Sequence, residues 1–368
     1  MSAESPAAAR GSQGPRTPRP RAGSRPARAA LWAQWLTALA GRGRPVSAGR
    51  VNQVFPLPGR RCWTGLPPAA GAAVLAAGIL SVGLHLIGAE ALSLAALVLT
   101  AALWLVLAAG FTTRLVGDRG RFRAEADTPA ALTAVAATTV LGCRFSLLGW
   151  QGLAAALLVL ATVLWPWLLL AVVLHWKHRM PGAAFLVCVA TQGIAVLSAI
   201  LAAAVHRDWL ARAALAAFCL GLLLYAVALF HFDFREVVRG AGDHWVAGGA
   251  LAISALAGSK LTASPVWTGS AHAALRTATL VTLALSLCWY VLLLAAELRR
   301  WRPHYDIRRW ATVFPLGMTA TACLSAAGPT GVGRLQPLGE VLLWIAVGAW
   351  LLTCAALVFT RSGTRRER

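Results

Sequence analysis

The chain has 368 residues, of which 58% are hydrophobic and 13% charged, and its formal net charge is +21. Soluble domains carry about 25% charged residues, so this composition excludes an ordinary water-facing surface. The apolar residues occur in runs of about 20, the length that an α-helix needs to cross the hydrocarbon, and they lack the alternation of β-barrel strands. The sequence therefore predicts an all-α, polytopic membrane protein.

Residues 1–62 are rich in Arg, Pro and Ala, which predicts a disordered cytoplasmic tail. A transmembrane transport domain is predicted for residues 63–360, followed by a short basic cytoplasmic tail at 361–368. The basic N-terminal tail contains none of the zinc-finger, helix-turn-helix or ribonucleoprotein patterns, so we expect no nucleic-acid partner.

Ten apolar segments are predicted to form about ten transmembrane helices. The seventh is the shortest, and it can continue past Lys260, whose long side chain would then reach the membrane interface. The segments cover residues 66–87, 91–110, 129–149, 150–174, 182–204, 209–230, 243–258, 274–296, 310–328 and 338–359.

Positive charge is distributed unevenly between alternate loops. If the N-terminus is cytoplasmic, 28 of the 34 Lys and Arg residues fall in the two tails and the even-numbered loops. Cytoplasmic loops carry an excess of Lys and Arg, so the count predicts an even number of spans with both termini inside, in the plasma membrane. Tryptophans near the segment ends are interpreted as an aromatic belt: Trp63, Trp150, Trp176, Trp209, Trp245, Trp301 and Trp310.

Small residues and leucines alternate between successive segments. Gly, Ala, Ser and Thr make up 53 of 101 residues in the odd-numbered segments and 41 of 112 in the even-numbered ones, whereas Leu makes up 16 and 37. Small residues let helix backbones approach closely, while leucines suit a shell that faces lipid. The pattern predicts five inner, odd-numbered helices around a central pore and five outer helices. The alternative is an accident of composition.

Several local strings resemble the tellurite-resistance/dicarboxylate transporter family, which includes slow anion channels and malate permeases. The ninth segment, RWATVFPLGM at 309–318, is similar to that family's WW-x-x-x-FP-L-G signature, with Arg309 in place of the first Trp. The first segment carries AAGILS at 76–81, where the family has M-x-T-G-I-x-S. Further similar strings are VAATTVLG at 135–142, ATQGIAVL at 190–197 and GDHW at 242–245.

The resemblance implies an anion channel or permease that forms a homotrimer with one pore in each subunit. It also implies that Phe314 closes the pore. Pro315 lacks an amide proton and is expected to kink the ninth helix, which can turn the adjacent ring into a lumen. The alternative for Phe314 is simple packing between helices. Small and polar residues of the odd-numbered segments are the pore-lining candidates: Gly78, Thr138, Gly142, Gln192, Gly193, Gly248 and Gly249.

Acidic residues occur only at the edges of the segments, at Glu90, Asp243, Glu297 and Glu340. Coupled carriers commonly place carboxylates near the middle of the membrane, and a lumen without them favours anions. Arg144 and Lys260 are the candidates for an anion-attracting mouth; the alternative for each is ordinary placement at the interface.

We therefore expect a passive channel or facilitator for small monovalent anions or small (di)carboxylates, with small anions and the lipid bilayer as its partners. We expect no catalytic residues, metal or cofactor, because no nucleotide-binding or metal-ligand spacing occurs. One alternative is an ion-coupled exporter of an organic acid, sulfite or a tellurite-like oxyanion. A more distant one is an integral-membrane enzyme acting on lipid-linked substrates.

Overall fold

The computed structural model of the protein describes residues 70–117, 120, 125–176, 179–239, 242–299 and 306–366. All of these belong to one compact unit. The predicted N-terminal tail, including Trp63, lies outside the described residues, as does Trp301. The predicted C-terminal tail begins within the last helix, whose backbone continues to residue 366.

Each of the ten predicted segments contains one long helix, as expected. Eight of them are long and apolar enough to cross a membrane, which confirms a multi-pass membrane protein. The helices are α1 (Gly71–Leu86), α2 (Glu90–Gly117), α3 (Leu132–Leu147), α4 (Gln151–Leu174), α5 (Leu186–Ala204), α6 (Asp208–His231), α7 (Trp245–Thr262), α8 (Gly269–Arg299), α9 (Trp310–Thr330) and α10 (Leu335–Arg366). Short 3-10 turns precede three of them, at Pro129–Ala131, Gly182–Phe185 and Ile307–Arg309, and an isolated helical turn lies at Glu236–Arg239.

Tight turns join each odd-numbered helix to the even-numbered helix that follows. Gly88 lies in the α1–α2 turn and has a φ of +78°. Gly149 lies at the equivalent position between α3 and α4 and has a φ of +84°. Only glycine adopts this conformation without strain. His206, in the α5–α6 turn, has a φ of +50°. Each turn makes the two helices that it joins antiparallel. Because the chain also reverses direction between each even-numbered helix and the next odd-numbered one, all five odd-numbered helices run in one direction.

The odd-numbered helices form a closed inner ring. Contacts join α1 to α3, α3 to α5, α5 to α7, α7 to α9, and α9 back to α1. Buried residues make up 78%, 94% and 83% of the apolar windows of α3, α5 and α9, but only 17–33% of those of the even-numbered helices. Burial therefore confirms the predicted division into five inner and five outer helices. We call the face at which the inner helices end the C-terminal face, and the opposite one the N-terminal face.

Each outer helix covers the groove between two consecutive inner helices. Thus α2 packs on α1 and α3, α4 on α3 and α5, α6 on α5 and α7, α8 on α7 and α9, and α10 on α9 and α1. Polar contacts fix the outer helices to the ring: the Trp165 indole of α4 donates to the Thr191 hydroxyl of α5 (2.9 Å), and the Ser286 hydroxyl of α8 donates to the Gly248 carbonyl of α7 (3.1 Å). A polar contact surrounded by lipid helps to define which helices pair.

The aromatic belt is only partly as predicted. Trp150 and Trp209 lie on the surface, 58% and 64% exposed, where a belt residue belongs. Trp245 and Trp310, by contrast, are buried, 2% and 6% exposed. Both begin inner helices, so the outer helices separate them from lipid. Trp245 packs edge-on against Tyr290 of α8, and Trp310 against Trp350 of α10. The belt interpretation is therefore wrong for these two residues.

Candidate functional site

A narrow cavity of about 20 Å³ lies on the axis of the inner ring. All five inner helices line it, and the outer helices do not contribute. It extends from the middle of the ring to the C-terminal face, because its lining includes residues from the last turns of α1, α3 and α7. That volume holds roughly one water molecule, so the axis is closed to larger solutes in this conformation.

The lining residues recur at regular positions. Four inner helices each contribute residues spaced three and then four apart, which places them on one face of each helix. The fifth helix, α9, contributes Met318. The positions are Ile79, Val82 and Leu86 of α1; Val140, Cys143 and Leu147 of α3, with Thr139; Gly193, Val196 and Ile200 of α5; and Ile253, Leu256 and Lys260 of α7. The wall is therefore apolar except for one lysine, one threonine and one thiol.

Phe314 lies directly beyond the floor of this cavity. It precedes Met318 by four residues, so the two side chains share a face of α9 about 6 Å apart along the helix axis. The ring is 1% exposed. It lies against Gly249 of α7, which in turn precedes the cavity residue Ile253 by four positions. The ring thus occupies the line along which the cavity would continue towards the N-terminal face.

Gly249 supplies the surface on which the Phe314 ring rests. A Cβ atom added there would lie 3.1 Å from Cε1 of Phe314 and 2.9 Å from Cγ of Pro315, closer than ordinary contacts. Pro315 cannot give way easily, because its ring is part of the α9 backbone. It also leaves the Ala311 carbonyl without its usual helical partner.

We expect Gly249→Ala to displace the Phe314 ring from its contact with residue 249 and to raise basal anion flux a few-fold. The increase should be smaller than the one caused by removing the ring. Overpacking of this kind costs about 1–3 kcal/mol, so thermal stability should also fall. Flux assays on proteoliposomes check the effect, with Gly152→Ala as the control, because a Cβ atom at Gly152 would meet nothing within 4 Å. The hypothesis that Gly249 acts through the Phe314 ring is disproved if Gly249→Ala leaves flux at the level of Gly152→Ala. It is also disproved if Gly249→Ala raises flux further in a Phe314→Ala background.

Two of the other predicted site residues, Gly193 and Lys260, line the cavity. Three glycines instead face neighbouring helices: an added Cβ atom at Gly78, Gly142 or Gly248 would lie 2.7–3.2 Å from a side chain of another helix. Their role in the structure is close packing.

Thr138 and Gln192 point from the inner ring towards outer helices. The Thr138 hydroxyl accepts a hydrogen bond from the Trp104 indole of α2 (2.9 Å), and the Gln192 amide donates to the Phe218 carbonyl of α6 (3.0 Å). The cavity residue next to Thr138 is Thr139, which the sequence alone did not single out. Successive residues of an α-helix are rotated by about 100° around its axis. One of two neighbouring residues can therefore face the lumen while the other packs against an outer helix.

Arg144 is fully buried but does not line the cavity. Its neighbour Cys143 does, so the guanidinium points away, towards α2. There its Nη2 donates to the Glu90 carboxylate and its Nε donates to the Ser93 hydroxyl (3.0 Å). His85 of α1 contacts the other oxygen of Glu90 at 2.6 Å. The charge of Arg144 is therefore paired with a carboxylate and held at the junction of α1, α2 and α3.

The described residues contain no group of three or more His, Cys, Asp or Glu side chains that could hold a metal ion. A closed ring of buried small-residue helices around an axial cavity, with a single aromatic ring beyond the cavity floor, is the architecture of a membrane channel or transporter.

The family model of the voltage-dependent anion channels (SLAC1) matches residues 65–358, which include all ten helices except the C-terminal end of α10. The chain belongs to this family, and the match confirms the resemblance found in the sequence. Members are anion channels and transporters rather than enzymes. No curated protein matches the sequence.

Proposed function

We propose that the protein is a passive channel or facilitator that conducts small anions along the axis of the inner ring, with Phe314 as its gate. The observation that supports this most strongly is the position of the Phe314 ring, on the line of the axial cavity and seated on Gly249. Displacing this side chain would extend the cavity by about one helical turn towards the N-terminal face. Hydrophobic constrictions of this kind gate by excluding water and hydrated ions.

The distribution of charge supports anions as the conducted species. Within the described helices, every acidic side chain lies within two turns of a helix end, and none lines the cavity. The lining of the cavity instead includes the basic residue Lys260. A path with a fixed positive charge and no fixed negative one lowers the electrostatic energy of an anion relative to that of a cation. Small monovalent anions and small (di)carboxylates are the proposed substrates.

We place the protein in the plasma membrane with the N-terminal face of the ring in the cytoplasm, because the positive charges of the loops concentrate on that side. Labelling of single cysteines added to the two tails, from outside intact cells and after permeabilisation, tests this orientation. The homotrimer implied by the family is tested by the mass of the purified protein in detergent.

Reversal potentials separate passive conduction from ion coupling. In proteoliposomes with a chloride gradient and equal pH on both sides, we expect the reversal potential to follow the chloride gradient alone. Imposing a pH gradient or a sodium gradient should leave it unchanged, since no carboxylate lies in the described path to bind a coupling ion. A shift with either gradient would contradict passive conduction and favour an ion-coupled exporter.

A further inference from the structure

The cavity contains one fixed charge, that of Lys260. This residue lies in the last turn of α7, and its side chain lines the axial cavity together with residues from all four other inner helices. Lys260 is partly exposed and lies at the C-terminal face, where the cavity ends. Removing an ammonium group from water is unfavourable unless a counter-charge compensates it.

Three arginines of the helical domain find that counter-charge within the protein. Arg114 pairs with Glu125 at 2.6 Å, Arg309 pairs with Glu297 at 3.0 Å, and Arg144 pairs with Glu90.

Among the residues that the structure describes, no carboxylate forms an ion pair with Lys260 and no acceptor forms a hydrogen bond with it. The other polar side chains that line the cavity are Thr139 and Cys143. Its ammonium is therefore available to an anion from solution.

The orientation of the ring increases this need. All five inner helices end at the same face, so the negative ends of five helix dipoles point towards the opening of the cavity. Without a compensating charge this end of the path would favour cations. A lysine in the last turn of α7 places a positive charge against that field and so offsets part of it next to the axial cavity.

We infer that Lys260 is a specificity-determining anion-binding residue, which binds one monovalent anion at the cavity when the path is open; this rests on the proposed anion path. The Thr139 hydroxyl already donates to the Ala136 carbonyl (2.9 Å), so the ammonium is the main donor available to the anion. One positive charge balances one negative charge. A dianion would leave an uncompensated charge in an apolar cavity. Of the proposed substrates, the site therefore favours monovalent anions, including dicarboxylates in their singly charged form, over doubly charged dicarboxylates.

The test uses the full-length protein reconstituted in planar bilayers, in a Phe314→Ala background so that the gate does not limit current. The reversal potential in a sodium chloride gradient gives the ratio of anion to cation permeability. Lys260→Met and Lys260→Gln should each lower that ratio about tenfold or more, the effect of losing one charge-assisted contact. Lys260→Arg, which keeps the charge, should preserve it. Both neutral substitutions suit an apolar wall, so at least one is expected to fold.

Arg212→Gln is the matched control, because Arg212 is an exposed cation of the outer helix α6 near the same face. The inference is overturned if the neutral Lys260 variants keep the parental permeability ratio, or if Arg212→Gln lowers it equally. Equal currents carried by chloride and by doubly charged malate in the parent would also overturn it. An absence of anion current from both the wild type and Phe314→Ala is a different result, because it contradicts the proposed function itself.

Discussion

Replacing Phe314 by alanine is expected to raise anion flux through the purified protein by about tenfold to a hundredfold. The ring lies on the line of the cavity and is almost completely buried, so the alanine variant leaves a gap where the path is now blocked. A lowering of the conduction barrier by about 1.4 kcal/mol gives a tenfold increase in rate, and a dry aromatic constriction can contribute more than this. Flux of chloride or nitrate into proteoliposomes, measured by fluorescence quenching, checks the prediction.

The same substitution should also lower the stability of the protein, so a second buried phenylalanine is needed to distinguish gating from packing. Truncation of a buried Phe to Ala costs about 3–5 kcal/mol in a well-packed core. Phe218→Ala is the matched control, because Phe218 is also buried, 2% exposed, but lies on the outer helix α6. We expect both variants to melt at lower temperature and only Phe314→Ala to conduct faster. Equal flux in the two variants, with the fold intact, would assign Phe314 to packing between helices.

Glu90→Gln is expected to cause the largest loss of stability among substitutions of partly exposed residues. It leaves the guanidinium of Arg144, which is fully buried, without its carboxylate. Breaking a buried ion pair from one side costs about 3–5 kcal/mol. Glu90 is 42% exposed, so water can replace part of the lost interaction and we expect about 1–3 kcal/mol. Thermal unfolding in detergent checks this result.

A double-mutant cycle separates the pair from the individual side chains. Glu90→Gln combined with Arg144→Met should be more stable than the sum of the two single losses predicts, because no unpaired charge then remains. Glu340→Gln serves as the control, since among the described residues that carboxylate accepts a hydrogen bond only from neutral Gln336 (3.1 Å). Strict additivity, or an equal loss from Glu340→Gln, would show that the Glu90–Arg144 contact does not stabilise the helix junction.

The number of helices and the inner-outer division could be predicted from the sequence because both depend on properties averaged over a whole segment, its hydrophobicity and its content of small residues. A run of about 20 apolar residues identifies a span whatever its neighbours are. The excess of small residues in alternate segments predicts close packing, and the ring formed by α1, α3, α5, α7 and α9 is the physical result. Phe314 was predicted in a different way, from the similarity of a short string in segment nine to a family signature.

The direction in which each inner side chain points could not be predicted. The inner helices are buried on every side, so no polar face marks the lumen. Thr138 and Thr139 are chemically equivalent in the sequence, yet one binds Trp104 and the other lines the cavity. The three-and-four spacing of the lining residues is visible in the sequence only after one position is known.

The two candidate mouth residues show the same difficulty. Arg144 and Lys260 each occupy the last turn of an inner helix. Their positions differ because Glu90, 54 residues before Arg144, lies where the guanidinium can reach it. Lys260 meets no such partner in the described chain. Long-range pairing of this kind depends on how α2 and α3 pack, and helix patterns do not contain that information.

The central claim is that anions cross the ring along its axis, past position 314. A Phe314→Cys variant, with the native cysteines replaced by serine, places a thiol at that point. A negatively charged methanethiosulfonate reagent should modify it and reduce anion flux by most of its value, with modification measured by mass spectrometry. The same treatment of Phe218→Cys should leave flux unchanged. Full modification at position 314 with undiminished flux would show that anions take another route.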